Sequence, residues 1–394
     1  MSVPTLRFKE FSQTLTPENF GHVISANKYG PRFDASDYDT NGNVKTIRGT
    51  DVSLDGEIKY SQVPRAKLDE NFIKDNLLND GDLIMITTAD CGLTGVFRKQ
   101  EIEYIPSAYA VKIELNELGF PYYFKYYFQT KRVKDEINKY VRKGTVANLP
   151  LSDIGKISIK LPNIVEQTKI ANFLTAVDEK ITQLTQKHVL LTQYKKSVMQ
   201  QIFSQELRFK DNDGQDFADW ELSSLEDMEK ESLLELGRGN VISKTDIDKI
   251  KGAFPIYSSS VRNYGLFGHY GLFMFDEELI TWSIDGGGDF FYRKKHKFSV
   301  TNVSGFLRIT SEKINCKFLS YQLIHLHKKL SFDYQTKAHP SVIRSLYVVQ
   351  IPAVEEQVKI ANFLSAIDDK ITATLTQLQA VKQYKQGLLQ QMFV

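Results

Sequence analysis

The sequence predicts an α+β protein in which two mixed α/β globular domains are separated by an antiparallel two-helix coiled coil, in a pseudo-twofold and cyclic arrangement. Three observations predict it. EQTKIANFLTAVDEKIT at residues 166–182 returns as EQVKIANFLSAIDDKIT at residues 356–372. Both copies continue with apolar residues at alternating steps of four and three. The remaining stretches are short apolar runs broken by Gly, Asn and Asp.

The repeat aligns residues 164–204 with 354–394 at a constant offset of 190, without a gap. Its first copy places Ile170, Leu174, Val177, Ile181, Leu184, His188, Leu191, Lys195, Val198 and Ile202 on one stripe. The second places Ile360, Leu364, Ile367, Ile371, Thr374, Leu378, Val381, Lys385, Leu388 and Met392 there. Spacing of this kind over more than four heptads is the coiled-coil pattern, with His188, Lys195, Thr374 and Lys385 as polar interruptions. At about 1.5 Å per residue each helix is a rod of about 50–60 Å.

The first helix ends where the second intervening segment begins, and the second helix starts where that segment ends. Helices packed along one another must therefore run antiparallel, with the globular segments at opposite ends. The same path brings the C-terminal QQMFV back to the N-terminus. QQIFSQ in mid-chain is followed by ELRFK (206–210), and the N-terminus has its own LRFK (6–9), as expected of a cyclic object cut open after the second helix.

In the intervening segments, GDLIMITTADCG, SAYAVKIEL, GLFMFDEELITWSIDGGGDFFYR and FSVTNVSGFLRIT predict strands and hairpins. PYYFKYYFQTKRVKDEINKYV and CKFLSYQLIHLHKKL predict helices. The boundaries are 1–160 and 206–350 for the globular domains, and 161–205 and 351–394 for the helices.

With 394 residues, 42% apolar and 25% charged, the chain is of ordinary globular composition and long enough for more than one core. No apolar run spans a bilayer and the first residues lack a secretory pattern, so a cytoplasmic protein away from membranes is expected. Cys91 and Cys316 stand alone, without the spacing of a disulfide framework or a metal site. A net charge of +2 makes any case for nucleic acid a local one. Such patches occur. Seven Lys or Arg fall between Lys125 and Lys143, interleaved with tyrosines, and Arg293, Lys294, Lys295 and Lys297 follow an aromatic strand.

Catalytic patterns are weak. Gly237-Arg238-Gly239 lacks the strand–turn–helix setting of a nucleotide loop. Asp55 with Glu57 and Lys59 imitates a magnesium nuclease, but Asp55-Gly56 signals a hairpin turn. His325 and His327 fit a basic helix end better than a metal site. A non-catalytic chain without a cofactor is expected.

The two copies of Pro-x3-Glu-Gln-x2-Ile-Ala-x2-Leu-x3-Asp-x2-Ile, at 162–181 and 352–371, resemble the specificity (S) subunit of type I restriction-modification systems. FADWELSSL (217–225) and the sequence from Gly237 to Gly268 add to the resemblance. After LRFKEFSQ the first segment departs from it, reading TLTPENFGHV without Trp-Glu. The resemblance implies two target-recognition domains that each read one half of a bipartite, asymmetric DNA target. The paired helices would set the unread gap. Two methyltransferase (M) subunits would dock on the helices, and motor-nuclease (R) subunits would complete the restriction complex. The alternative is a coiled-coil scaffold joining two ligand-binding globules without DNA.

On the DNA reading, the expected contacts of the first domain are Lys45, Arg48, Thr50 and the Lys143, Gly144, Thr145 loop. Those of the second are Ser258, Ser259, Ser260, Arg262, Asn263, Arg293, Lys294, Lys337 and His339. Arg suits guanine and Asn suits adenine, which makes Arg48, Arg262 and Asn263 the expected base readers. Partner subunits are expected near Lys169, Asn172, Lys180, Lys359, Asn362 and Lys370.

Overall fold

A computed structural model describes residues 4–260, 262–285, 287–330 and 338–393. The chain divides into two compact units, Met1–Thr185 with Thr376–Val394, and Gln186–Leu375. Each unit takes part of both long helices, Ile164–Phe203 and Val354–Met392.

The predicted stripe is the buried one. Ile170, Leu174, Leu184, Val198 and Ile202 are buried on the first long helix, and Ile360, Leu364, Ile367, Leu378, Leu388 and Met392 on the second. In unit 1 the start of the first helix (Ile170, Ala171, Leu174) shares a core with the end of the second (Leu388, Met392, Phe393). In unit 2 the end of the first (Val198, Met199, Ile202) shares a core with the start of the second (Ile360, Ala361, Leu364). Start against end is antiparallel pairing. Three of the four interruptions, Lys385, Lys195 and Thr374, have side-chain partners. Lys385 Nζ lies 2.6 Å from Asp178 Oδ1 in unit 1, and Lys195 Nζ lies 2.6 Å from Asp368 Oδ1 in unit 2. The hydroxyl of Thr374 donates to the Lys370 carbonyl (2.7 Å).

Each unit repeats one set of fastenings at the helix start. Arg7 donates to both oxygens of the buried Glu166, each at 2.7 Å, while Arg208 donates to those of the buried Glu356 at 3.2 and 2.8 Å. Phe8 meets Phe173 edge-on, and Phe209 meets Phe363 in the same way. The side-chain amide of Gln167 donates to Pro162 O and Leu118 O and accepts from Phe120 N. That of Gln357 donates to Pro352 O and Lys313 O and accepts from Asn315 N. Leu207 N donates to Gln201 O just past the first helix, and Leu6 N donates to Gln391 O at the end of the second, each at 3.0 Å. The N-terminal LRFK thus follows the second helix as the internal LRFK follows the first, which is the expected cyclic closure.

The heads differ. In unit 1 a four-stranded antiparallel sheet has the order Ile24–Tyr29, Ala110–Leu115, Leu83–Ile86, Thr94–Val96. A three-stranded sheet puts Val44–Ile47 between Arg65–Ala66 (antiparallel) and Glu103–Pro106 (parallel). Unit 2 has one six-stranded sheet, with Phe275–Ser283 and Phe290–Val300 as its longest strands. A two-stranded ribbon leads into each head, Pro17–Asn19 on Ser158–Lys160 and Glu221–Ser224 on Val348–Ile351. The departure at TLTPENFGHV therefore does not remove the first strand.

Two expectations are corrected. The helix expected over 121–141 is two helices, Pro121–Tyr127 and Lys131–Ile137, because the Thr130 hydroxyl donates to Tyr127 O (2.8 Å) and accepts from Val133 N to start a new helix. The run of basic residues interleaved with tyrosines is not one surface patch. Tyr123, Tyr126 and Tyr127 are core, and the buried Lys125 pairs with Glu57. Gly237 and Gly239 are packing glycines of a strand and its exit, against the Phe306 ring and the Val300 carbonyl. The Asp55 segment is a tight turn with Gly56 at φ +75° and a Gly56 N to Ser53 O bond of 2.8 Å. Among the described residues no helix is long and apolar enough to cross a membrane, and no group of His, Cys, Asp and Glu could hold a metal ion.

Candidate nucleic-acid interface

In unit 1 the strand Val44–Ile47 ends at Arg48, where the chain turns through Gly49–Asp51. The turn buries Asp51 completely. Its carboxylate accepts from Arg48 N (2.9 Å), Arg48 Nε (3.0 Å), Arg48 Nη2 (3.0 Å) and Gln62 Nε2 (3.2 Å). These bonds to Asp51 raise the guanidinium pKa further. Among the described residues Nη1 has no partner, and the Arg48 side chain is 43% exposed.

Arg48 and Thr50 open on a cavity of about 810 Å³, whose walls include Tyr38, Tyr109 and Thr88. Ser107 also lines it, and the Ser107 hydroxyl is buried without a partner among the described residues. The expected Lys143, Gly144, Thr145 loop stands beside this wall. Arg142 and Asn148 bond to each other across its base, Asn148 bridges to Thr88, and Ala89 N donates to Ala147 O (3.0 Å). All three loop residues are exposed. The structure therefore places Arg48 and Thr50 on one cavity, and ties the base of the 143–145 loop to Thr88 and Ala89 of its wall without bringing Lys143, Gly144 or Thr145 into the lining. Lys45 is elsewhere, its Nζ donating to Tyr60 O and lying 5.5 Å from the Tyr104 ring centre.

In unit 2, Ser258, Ser259 and Ser260 leave the strand Phe254–Tyr257 and lead to a turn in which Asn263 and Tyr264 have φ of 49° and 51°, and Gly265 has φ of 78°. The turn is tied down from below. Ser258 N donates to Gly265 O, Thr301 Oγ1 to Ser258 Oγ, and Ser283 Oγ to Ser259 O, each at 2.8 Å. Arg262, Asn263 and Tyr264 are exposed on its crest. Arg293 is under it rather than on the surface, at 6% exposure. Its Nε donates to Thr281 Oγ1 (3.0 Å), and its guanidinium lies 3.7 Å from the Tyr257 ring centre and 4.9 Å from that of Phe291. Burial pushes its pKa down to about 10, so it is charged at neutral pH, compensated by ring faces and a hydroxyl. Lys294 is exposed beside it.

His339 is exposed and caps the helix Pro340–Leu346, its ring accepting from Ser341 N. The preceding Ala338 donates through its backbone N to Ile284 O (3.1 Å), and Ala338 O accepts from Trp282 Nε1. His339 and the serine turn thus flank the end of one strand. Lys337 lies outside the described residues.

On the helices, Asn172, Lys180, Asn362 and Lys370 are exposed. Lys169 and Lys359 are engaged. Lys169 pairs with Glu10 and lies 4.6 Å from the Phe8 ring centre. Lys359 donates to Lys210 O and Asn212 Oδ1.

Sequence reasoning missed Asp51, Tyr38 and Tyr109. The Arg48-x-x-Asp51 spacing was the available signal for the first. Nothing local marks the tyrosines, which reach the cavity from separate segments.

The family model described as "Type I restriction modification DNA specificity domain" matches the chain twice, over residues 19–192 and 218–383. A putative type I specificity subunit of Mycoplasma pneumoniae is 26% identical over 242 residues, covering 59% of this chain and 84% of the relative. Another from that organism is 27% identical over 157 residues, covering 39% of this chain and 42% of the relative, so the match spans less than half of some relatives. Among solved structures, the S subunit of a type I restriction-modification system from M. genitalium has a TM-score of 0.65 at 15% identity, covering 100% of this chain and 99% of that one. The HsdS subunit from Thermoanaerobacter tengcongensis gives 0.50 at 15%, covering 96% of each chain. At such identities the structural likeness speaks for the fold.

Proposed function

The chain belongs to the type I restriction-modification DNA specificity family, and on that premise we propose that it is the DNA-reading subunit of such a system, with no chemistry of its own. The observation that carries this reading is the double match, one to each head with its helix, joined to heads of different sheet topology. Like frames suit like partners. Unlike heads suit unlike half-sites.

In this reading residues 1–160 and 206–350 are target-recognition domains, and residues 161–205 and 351–394 form the spacer. The target is bipartite and asymmetric, with an unread gap set by the paired helices. Arg48, Thr50 and the 143–145 loop contact DNA from the first domain. Ser258–Ser260, Arg262, Asn263, Lys294, Lys337 and His339 do so from the second, with Arg293 supporting the turn from beneath. Lys45 contributes through the strand it helps to pack. Exposed lysines anchor phosphates, and the strand-end turns reach base edges. Two methyltransferase subunits dock on the helices near Asn172, Lys180, Asn362 and Lys370, with Lys169 and Lys359 holding the adjoining segments. Motor-nuclease subunits join for restriction, and the complex works in the cytoplasm.

The test is to map methylated adenines in the genome of the host carrying this chain, then to replace residues 1–160 with those of a relative. One half of the methylated motif is expected to change and the other to stay. A change in both halves, or methylation unaffected by loss of the chain, would overturn the proposal.

A further inference from the structure

The reading of this chain as a DNA specificity subunit leaves open which base any residue recognises. On that reading, we infer that Arg48 reads a guanine in the half-site of the first domain, and that Asp51 is the positioning residue that presents it.

The geometry begins with the bonds already made. Asp51 takes Nε and one N–H of Nη2, which is the side of the guanidinium nearest the chain. The free end keeps one N–H on Nη1 and one on Nη2 that lie in a plane and point the same way, with the second Nη1 N–H directed to the side. A side chain 43% exposed and lining an open cavity can present that edge outward. In the major groove guanine offers two neighbouring acceptors, N7 and O6, to such a fork. Adenine puts an amino donor where O6 stands, and N–H then faces N–H. The fork therefore selects guanine.

Phosphate is the competing ligand for a free guanidinium edge. Charge decides against it here. The fully buried Asp51 carboxylate neutralises the guanidinium, so the pair carries little net attraction for a phosphate while its donor geometry is intact. Lys143, on the exposed loop beside the same cavity, has the opposite character and suits the phosphate role. The second unit is built otherwise. Its buried arginine, Arg293, is met by ring faces and a hydroxyl rather than by an acid, and it lies beneath a turn.

Asp51 also reduces the cost of reading. An arginine loses rotamer freedom on docking, and here the side chain is held before DNA arrives by the backbone turn, Asp51 and, through Asp51, Gln62.

Arg48→Lys keeps the charge and removes the fork, and Arg48→Ala removes both. In the host carrying either variant, methylated-adenine mapping is expected to show one guanine position of one half-site relaxed, its discrimination falling about tenfold or more, with the other half unchanged. Asp51→Asn is expected to relax the same position by a smaller factor, which general loss of folding would not do. The inference is overturned if every position keeps its preference in Arg48→Lys, if the relaxed position is not guanine, if both halves degrade together, or if either Arg48 variant loses methylation everywhere. If the wild-type chain directs no bipartite motif at all, the underlying reading fails and this inference with it.

Discussion

In unit 1 the buried Glu166 carboxylate holds Arg7; in unit 2 its counterpart Glu356 holds Arg208 and also accepts from Trp220 Nε1 at 3.0 Å. Tyr126 donates to Asp178 in one unit and Tyr321 to Asp368 in the other. Lys385 and Lys195 complete the two sites from the opposite helix. Beyond these fastenings the units part company, one with four- and three-stranded sheets and the other with a six-stranded sheet. The difference teaches where each part of the chain is constrained. A contact made twice, by residues on both helices, cannot change on one side without leaving a buried group unpaired. The strand-end turns have no such partner in the other unit and can diverge.

The largest expected effect breaks the likeness at a point where the two fastenings differ, the Trp220 bond to Glu356. Glu356→Ala takes the buried carboxylate from Arg208, which keeps the Phe217 and Ala218 carbonyls and Asp219, and leaves the Trp220 indole N–H unpaired; it should destabilise unit 2 by about 3–5 kcal/mol, whereas Glu166→Ala should cost unit 1 the lower end of that range. Both tryptophans, Trp220 and Trp282, lie in unit 2. Tryptophan fluorescence during denaturation therefore follows unit 2, and far-ultraviolet circular dichroism follows both units. Equal losses for the two variants would contradict the role given to Trp220.

A middle-sized effect should sharpen the likeness. Gln167→Ala and Gln357→Ala each remove three hydrogen bonds of one buried amide, and about 2–3 kcal/mol is expected from either, read in the same denaturation curves. Costs that differ severalfold would show that the two staples are not equivalent.

The smallest effect concerns pH. Burial lowers the pKa of His325, helped by Lys329 and Lys328, and burial lowers that of His327 against the opposing pull of Asp289. A histidine whose folded pKa lies below its unfolded value of 6.5 keeps its full stabilisation above that value. The stabilisation is lost as pH falls toward the folded pKa, because the unfolded chain binds the proton first. Carboxylates held low, such as Glu229 by Arg344, act only below about 4.5. Between pH 7 and 5 the fluorescence transition of unit 2 should therefore move to lower denaturant. His325→Phe with His327→Gln should flatten that response, and an unchanged slope would count against the assignment.

The paired helices were legible because their signal is periodic and stated twice. The four-and-three stripe named the buried positions, and the repeat offset of 190 paired Glu166 with Glu356 and Lys195 with Lys385 before any partner was known. The candidate site was legible only in part. Arg48 and Thr50, named from residue type, line one cavity, and the 143–145 loop is joined to its wall only through its base. Arg293 was read as a DNA-contacting cation and is buried; Tyr123, Tyr126 and Tyr127, read as part of a local basic and aromatic patch, are core.

Sequence alone thus determined the helices, their antiparallel pairing and the cyclic return of LRFK, since each follows from spacing along the chain and from its connectivity. Tertiary structure alone decided which arginine faces outward with a free edge and which is covered by rings. Residue type supplies the donors of Arg48 and Arg293 equally. Their environment comes from segments far apart in sequence, Asp51 with Gln62 in one case and Thr281 with Tyr257 in the other, and no period in the chain records it.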